Sequence, residues 1–254
     1  MTARAETITS RQNPLLVQMV RLQGSRKLRR EQRLFVGDGT KLLKEAAAWA
    51  PELLQAVVLR TGTSCPELPE HVRLVEISPQ LMGQVSAMEA PEGALFLCKM
   101  PEEKESELSP GTLVLDGIQD PGNLGTILRT ADAFDVPVVL SEGCADAYNP
   151  KTVRATMGAV FRTPPRAMDH ETLLTRSREK GIPLLATALA PGAEDIRRAA
   201  LKEAAVVIGS EGQGVSRELL EVAERKIIIP MAERCESLNA AAAATVVLWQ
   251  MTEL

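Results

Sequence analysis

Metal-ligating side chains are scarce in this chain of 254 residues. It contains two histidines, His71 and His170, and its four cysteines include no CxxC pair. Because structural zinc sites use closely spaced cysteines and histidines, the sequence predicts no metal centre and reduced thiols. Cys235 could be read as a nucleophile, but such a cysteine needs a base such as histidine nearby, and we interpret it as structural or as a bystander. The other cysteines are Cys65, Cys98 and Cys144.

Long apolar runs are also missing. No stretch approaches the roughly 20 apolar residues that span a bilayer, and the first residues lack the apolar core of a secretory signal. The sequence therefore predicts a cytoplasmic protein that makes no membrane contact.

Positive charge is limited overall but concentrated locally. The formal net charge is −4, which excludes a protein that coats nucleic acid with its whole surface. Between positions 11 and 44, however, nine basic residues face two acidic ones, a local charge of +7. This segment is either a phosphate-binding face or a solvated basic helix. The basic residues are Arg11, Arg21, Arg26, Lys27, Arg29, Arg30, Arg33, Lys41 and Lys44.

Helical and strand-like patterns alternate along the chain, which predicts the α/β class. We expect a small α/β domain at 1–101, a charged linker at 102–110 and a larger domain at 111–254. In the larger domain, continuous apolar strands alternate with helices, which predicts a mainly parallel sheet covered on both faces. Strands are expected at 56–59, 72–77, 94–98, 112–115, 136–140, 183–189, 204–208 and 226–229. Helices are expected at 14–23, 40–50, 122–134, 150–159, 171–180, 216–224 and 238–253.

The first motif of chemical interest follows the strand that ends near Asp116. Its sequence is Asp-Gly-Ile-Gln-Asp-Pro-Gly-Asn-Leu-Gly-Thr-Ile-Leu-Arg, and it contains Asn123 and Arg129. Six residues correspond to about 600° of helix rotation, so the two side chains converge only if Asn123 belongs to the loop or the first turn. Taken alone, the stretch also fits a glycine-rich connection with an exposed arginine.

A second glycine-rich loop, Gly-Ser-Glu-Gly-Gln-Gly at 209–214, follows an apolar strand. It is not a Walker loop, because no Gly-Lys-Ser/Thr follows, and it departs from the dinucleotide fingerprint GxGxxG. Those departures argue against a nucleotide-dependent oxidoreductase. Glu211 would repel a phosphate at this helix start, so its carboxylate suits a cationic partner such as an arginine or a sulfonium.

The third motif joins Ile-Pro-Met at 229–231 to Ser-Leu-Asn at 237–239 and an alanine-rich helix. Ser237 is expected to cap that helix. Asn239 would lie in its first turn, where a buried amide needs a partner that the Gly209 loop could supply. The three motifs together predict a pocket made largely of backbone, suited to a small and partly polar cofactor.

In this order and spacing, the three motifs resemble the SpoU, or TrmH, family of RNA ribose 2′-O-methyltransferases of the SPOUT superfamily. The segment from Tyr148 to Ala159 resembles the family's connection between the first two motifs. The segments at 8–14 and 34–39 resemble the L30e-like substrate-binding domain that precedes many members. The chain departs from the family at Asp38, where Glu is more common, and in the loop at 232–236, where a glycine is usual.

The resemblance implies a C-terminal domain with a deep trefoil knot, a smaller L30e-like domain for RNA at 1–101, a homodimer, and S-adenosyl-L-methionine as cofactor. It implies 2′-O-methylation of a ribose in structured RNA, with 23S ribosomal RNA favoured by the two-domain layout. A transfer RNA substrate and a catalytically inactive RNA-binding member are the alternatives. The cofactor contacts that it implies are Gly209, Ser210, Ile229, Met231 and Leu238.

The same resemblance implies five polar catalytic positions. Arg129 is expected to orient the neighbouring phosphate and help the 2′-hydroxyl lose its proton, since a free arginine is too basic to act as a neutral base. Glu211 and Asn123 are expected to hold Arg129, while Ser237 and Asn239 fix the cofactor and the nucleotide.

Overall fold

The computed structural model describes residues 5–102, 107–232, 234–235 and 237–252. Its contacts divide the chain into two compact units. The first comprises Met1–Glu102 and Asp146–Arg162, and the second comprises Glu103–Ala145 and Thr163–Leu254. Residues 146–162 therefore group with the first unit, whereas the sequence placed them in the larger domain. Of the linker expected at 102–110, residues 103–106 lie outside the described residues.

A five-stranded mixed sheet forms the centre of the first unit. Its strands are β1 (Glu6–Thr7), β2 (Leu34–Asp38), β3 (Leu54–Arg60), β4 (Arg73–Ile77) and β5 (Ala94–Lys99), in the order β1-β4-β3-β5-β2. Strand β5 runs antiparallel to β2 and β3, and the other neighbours are parallel. The three strands predicted here are confirmed, and the structure adds β1 and β2.

The second unit contains a seven-stranded sheet. Every neighbouring pair in it is parallel, which confirms the predicted parallel sheet. Its strands are β6 (Thr112–Asp116), β7 (Val138–Leu140), β8 (Arg166–Ala167), β9 (Leu184–Thr187), β10 (Glu194–Asp195), β11 (Ala205–Gly209) and β12 (Arg225–Ile228). Their order is β10-β12-β9-β11-β6-β7-β8. Strands β6 and β11 are buried at all five positions, as expected for strands covered on both faces.

The first unit contains the helices α1 (Pro14–Gly24), α2 (Arg26–Gln32), α3 (Thr40–Trp49) and α4 (Pro79–Val85), and the second contains α5 (Pro121–Ala133). Then come α6 (Pro150–Ala155) and α7 (Ala159–Arg162) in the first unit, and α8 (His170–Lys180), α9 (Arg217–Val222) and α10 (Ala240–Thr252) in the second. Short 3-10 turns occur at Pro51–Leu53, Ile196–Arg198 and Leu201–Glu203. The single helix predicted at 150–159 is wrong, because Met157 (φ 49°) and Gly158 (φ 100°) adopt left-handed conformations that interrupt it.

The start of α10 also differs from the prediction. The helix begins at Ala240, and the side-chain oxygen of Asn239 accepts the N–H groups of Ala241 at 2.9 Å and Ala242 at 3.3 Å. Asn239 is therefore the N-cap, a role predicted for Ser237. Both residue types are good caps, so local preference could not choose between them.

Helices α5 and α10 pack together on one face of the second sheet. Leu128 of α5 and Leu248 of α10 share an apolar cluster with Leu113 and Leu115 of β6, whereas Val114 points to the cluster on the opposite face. Each such fully buried side chain stabilises the fold by about 1.5 to 3 kcal/mol. In the described part of the chain, no helix is long and apolar enough to cross a membrane, and no group of three His, Cys, Asp or Glu is arranged for a metal.

Candidate active site

The glycine-rich loop after β11 is a closed turn. The N–H of Ser210 donates to the carbonyl of Gly214 at 3.0 Å, and the N–H of Gly214 donates to the carbonyl of Ser210 at 2.9 Å. The side-chain oxygen of Ser210 accepts the N–H of Gln213 at 3.2 Å. A Cβ at Gly209 would lie 1.9 Å from the carbonyl carbon of Gly214, so only glycine fits where the strand meets this turn.

A cavity of about 460 Å³ lies between this loop, the ends of β9 and β12, and the segment that leads into α10. Its lining includes the glycines of the loop and apolar residues such as Ile208 and Leu220. Glu211 and Ser237, two of the predicted catalytic residues, line it as well. All five positions predicted for the cofactor also line it, namely Gly209, Ser210, Ile229, Met231 and Leu238. Glu233 and Glu236, in the loop that departs from the family pattern, lie outside the described residues.

Three of the predicted polar residues form a hydrogen-bonded cluster. The amide nitrogen of Asn123 donates to Oε1 of Glu211 in a short contact, and its amide oxygen accepts from the amide nitrogen of Asn239 at 3.2 Å. Asp120 accepts the N–H of Asn123 at 2.8 Å and thereby caps α5, which places Asn123 in the first turn. The partner that Asn239 was expected to find is therefore Asn123, which in turn holds the loop residue Glu211.

Arg129 lies apart from this cluster. It is exposed on α5, about one and two-thirds turns beyond Asn123. Among the described hydrogen bonds, none joins Glu211 or Asn123 to Arg129 as predicted, and those two side chains bond to each other instead. The reason is the helical geometry, since Asn123 belongs to α5 itself and faces a different direction from Arg129.

Two comparisons with family profiles cover most of the chain. The profile of the SpoU rRNA Methylase family matches residues 110–249, and that of the MRM3-like substrate binding domain matches residues 13–95. The chain belongs to the SpoU rRNA methylase family. The family predicted from the three motifs is thereby confirmed, and with it an RNA methyltransferase that uses S-adenosylmethionine.

Curated relatives and solved structures agree with this family. A 23S rRNA (guanosine(2553)-2′-O)-methyltransferase of Bacillus subtilis is 32% identical over 229 residues, which cover 89% of this chain and 92% of that protein. A TrmH-family RNA methyltransferase structure from Porphyromonas gingivalis has a TM-score of 0.81 and 31% identity, and the match covers 93% of this chain and 96% of that one. An AdoMet-bound rRNA methyltransferase from Sinorhizobium meliloti has a TM-score of 0.84 and 28% identity, with 97% of both chains covered.

The cavity beside the glycine-rich loop also has lining residues that the sequence did not predict. Thr187 of β9 and Lys226 of β12 both line it. The order of the motifs along the chain could not reveal these residues, because β9 lies between β11 and β12 in the sheet although it precedes both in the chain. Among the described lining residues, two are charged. They are the cationic Lys226 and the anionic Glu211.

Seven of the nine basic residues in the basic segment of the first unit are exposed, and one is fully buried. Arg29 is 2% exposed, and its guanidinium bonds to Asp146 at 2.7 and 2.8 Å and to the carbonyl of Leu22. It is therefore a structural residue and not part of a phosphate-binding face. Of the other eight basic residues, all but the half-buried Arg33 are exposed.

Proposed function

We propose that this protein methylates the 2′-hydroxyl of a ribose in 23S ribosomal RNA, with S-adenosylmethionine as methyl donor. The observation that carries the proposal is the cluster of Asn123, Glu211 and Asn239 beside a cavity that all five predicted cofactor positions line. The Bacillus subtilis relative, which acts on 23S rRNA, supports the choice of RNA.

The cavity fits the cofactor in size and chemistry. A volume of about 460 Å³ lies within the range of roughly 300 to 1,000 Å³ typical of small-molecule sites. Its polar lining residues Ser210 and Ser237 suit the polar edge of an adenine and a ribose, and Ile229 and Leu238 offer apolar contact. The carboxylate of Glu211 is a favourable neighbour for a sulfonium, as Coulomb attraction requires.

When bound, S-adenosylmethionine supplies a methyl carbon that is electrophilic because it is attached to a positively charged sulfur. The protein must then align the 2′-oxygen opposite the carbon–sulfur bond and accept or relay the hydroxyl proton. Asn239, held by Asn123 and by the start of α10, is proposed to orient the nucleotide. Arg129 is proposed to hold the neighbouring phosphate and to stabilise charge on the 2′-oxygen as its proton leaves.

The position of Arg129 supports a homodimer. It shares the exposed surface of α5 with Thr126 and Ala133, and the packed helix α10 exposes Val246 at 40% and Trp249 at 60%. Large exposed apolar side chains on adjoining helices are typical of protein interfaces. We propose that two copies pair through this α5/α10 face and that pairing brings Arg129 to an active site.

The dimer can be tested with a charged substitution in this face. Trp249→Glu should convert the protein to a monomer in light-scattering chromatography and lower methyl transfer, because a buried unpaired carboxylate opposes pairing. Val222→Glu, at an exposed apolar position on α9, is the matched control and should leave the dimer intact. A wild-type monomer, or a dimeric Trp249→Glu variant, would contradict the proposed interface.

We further propose that the first unit is the L30e-like RNA-binding domain and that the second carries the family's trefoil knot. The match of residues 13–95 to a substrate-binding profile and the exposed basic residues of α2 support the first assignment. Family membership supports the second. A ribosomal RNA substrate also supports action in the cytoplasm. In a filter-binding assay, RNA affinity should fall steeply with salt if the basic residues contact phosphates.

The reaction itself is tested by incubating the protein with radiolabelled S-adenosylmethionine and either 23S ribosomal RNA or transfer RNA. Methyl transfer to 23S RNA is expected, and alkaline-resistant linkages would identify the modified ribose. Arg129→Ala should lower turnover by a factor of about 10² to 10⁴. Arg178→Ala, an exposed arginine on α8, is the matched control.

Each outcome of that assay is informative. Transfer to transfer RNA alone would replace the proposed substrate by the first alternative. RNA binding without any transfer would favour the inactive RNA-binding alternative. Near-normal turnover of a folded Arg129→Ala variant would remove Arg129 from the mechanism.

A further inference from the structure

A buried carboxylate joins the first two motifs. Asp116, the last residue of β6, is 3% exposed and pairs in the sheet with Gly209, the last residue of β11. One of its oxygens accepts the N–H of Ser216 at 2.7 Å. The other accepts the hydroxyl of Ser141 at 2.6 Å and lies 2.9 Å from Nε2 of His170.

These contacts hold both ends of the glycine-rich loop. The loop leaves the sheet at Gly209, which is in register with Asp116, and returns to α9 at Ser216, whose N–H the Asp116 carboxylate accepts. Glu211, which bonds to Asn123, lies on the loop between these two anchors. The orientation of Asp116 therefore affects the cavity wall and the polar cluster together.

His170 in turn lies between two carboxylates. Its Nε2 is 2.9 Å from Asp116, and its Nδ1 is 2.9 Å from Oε2 of Glu218. An ionised carboxylate only accepts hydrogen bonds, so both ring nitrogens must donate, and only the protonated imidazolium does this. A neutral ring would direct a lone pair at one of the two carboxylates.

The elements that pack against the His170 ring carry acidic side chains near it. Burial lowers the pKa of His170, but hydrogen bonds with Glu218 and Asp116 and the charges of Asp116 and Glu142 outweigh this effect, so the pKa is raised above its ordinary value. Asp169, the cap of α8, adds a fourth acidic neighbour. Burial raises the pKa of Asp116, but its bonds from Ser141, Ser216 and His170 outweigh this and the pKa is lowered.

We propose that His170 is a positioning residue for methyl transfer, which as an imidazolium holds Asp116 so that Asp116 fixes the glycine-rich loop against the cofactor cavity. This inference rests on the proposed function of that cavity. His170 does not touch the cavity in the described contacts, so it acts through Asp116 and not on the substrate.

The proposal predicts a direction of pH dependence. A raised folded-state pKa means that the contribution of His170 is complete below about pH 6.5 and is lost as the pH rises through the folded-state pKa. Above that pKa the neutral ring donates to only one carboxylate, so either Asp116 or Glu218 of α9, the helix that follows the loop, loses its donor and the loop is held less firmly. Cofactor affinity should therefore fall at alkaline pH, with a larger effect on the KM for S-adenosylmethionine than on kcat.

The test is calorimetric titration of the intact protein with S-adenosylmethionine at several values between about pH 6 and about pH 9. The wild type should bind several-fold more weakly at the alkaline end. His170→Gln, whose single amide nitrogen replaces only one of the two ring nitrogens and which does not titrate in this range, should bind weakly throughout with little pH dependence. His71→Gln is the matched control, because His71 is the other histidine of the chain and should leave the dependence unchanged.

Glu218→Gln is a second variant, and it alters a side chain that is largely exposed. Removing this negative charge should move the pH midpoint of cofactor affinity downward. The two histidine rings can also be followed by NMR, with His71→Gln assigning the remaining signal to His170. A neutral His170 at about pH 6, or the same pH dependence in His170→Gln as in the wild type, would overturn the inference.

The calorimetry also separates this inference from the proposed function. If the wild type binds the cofactor with an affinity that does not change with pH, the inference fails and the proposed function stands. If the wild type binds no S-adenosylmethionine at any pH, both fail.

Discussion

Gly209 offers the sharpest single test of the proposed cofactor site. A Cβ at this position would lie 1.9 Å from the carbonyl carbon of Gly214, 2.0 Å from the nitrogen of Val215 and 2.1 Å from the oxygen of Gly214. All three are backbone atoms, so the loop must move. We therefore expect Gly209→Ala to displace the return strand of the turn that carries Glu211.

The size of the effect follows from packing. Forcing an extra methyl group into a closely packed site costs about 1 to 3 kcal/mol. If most of this cost appears as loop displacement, cofactor affinity should fall about tenfold or more, since about 1.4 kcal/mol corresponds to a factor of ten. Calorimetric titration with S-adenosylmethionine measures that loss, and thermal unfolding measures the remainder as a lower Tm.

Gly212→Ala is the matched control in the same loop. A Cβ there would meet no atom within 4 Å, and the residue is not in the left-handed region. Its effect should remain within about 0.5 kcal/mol, as for surface substitutions in general. If Gly209→Ala binds the cofactor as the wild type does with an unchanged Tm, the close approach of Gly209 to Gly214 does not shape the site.

Two further predictions concern the first unit. Arg29→Met should lower the free energy of unfolding by about 3 to 5 kcal/mol in chemical denaturation, because it leaves Asp146 as a buried charge without its cation. Adding Asp146→Asn should recover part of that loss. No recovery would contradict the ion-pair explanation. Burial raises the pKa of Asp38 despite a bond from Ser86, so the ionised carboxylate costs stability above a pH of about 3.8. Asp38→Asn should therefore unfold at an equal or higher Tm near neutral pH, with a smaller gain in acid, whereas a clearly lower Tm would show that the charge itself stabilises the fold.

Periodicity and composition predicted most of the second unit. The apolar runs of β6 and β11 are buried at every position, so their hydrophobicity indicated parallel strands directly. The order of the motifs also predicted the glycine-rich turn and the closeness of Glu211 and Asn239. Local sequence carried this information because each motif lies where a strand ends.

Contacts between distant parts of the chain were not predictable in the same way. His170 reaches Asp116 across 54 residues, and Arg29 reaches Asp146 across 117, and neither pairing leaves a periodic signal. Arg29 resembled its exposed basic neighbours because its burial depends on a segment outside the first hundred residues. The choice of Asn239 over Ser237 as a cap was likewise decided by tertiary structure, since Asn123 is available to bind the amide of Asn239.

The dual role of Asn239 has a consequence for how stability and activity can vary in this protein. Its oxygen caps α10 while its nitrogen bonds to Asn123, so one side chain serves both the helix and the active-site cluster. Asn239→Asp would separate the two roles, because a carboxylate caps a helix well and interacts favourably with its N-terminal dipole but cannot donate to Asn123. Under the proposed role of Asn239, we therefore expect this substitution to keep the cap of α10 and to lower methyl transfer. The cap of α10 and the proposed contact to the active-site cluster would then place different demands on this one side chain.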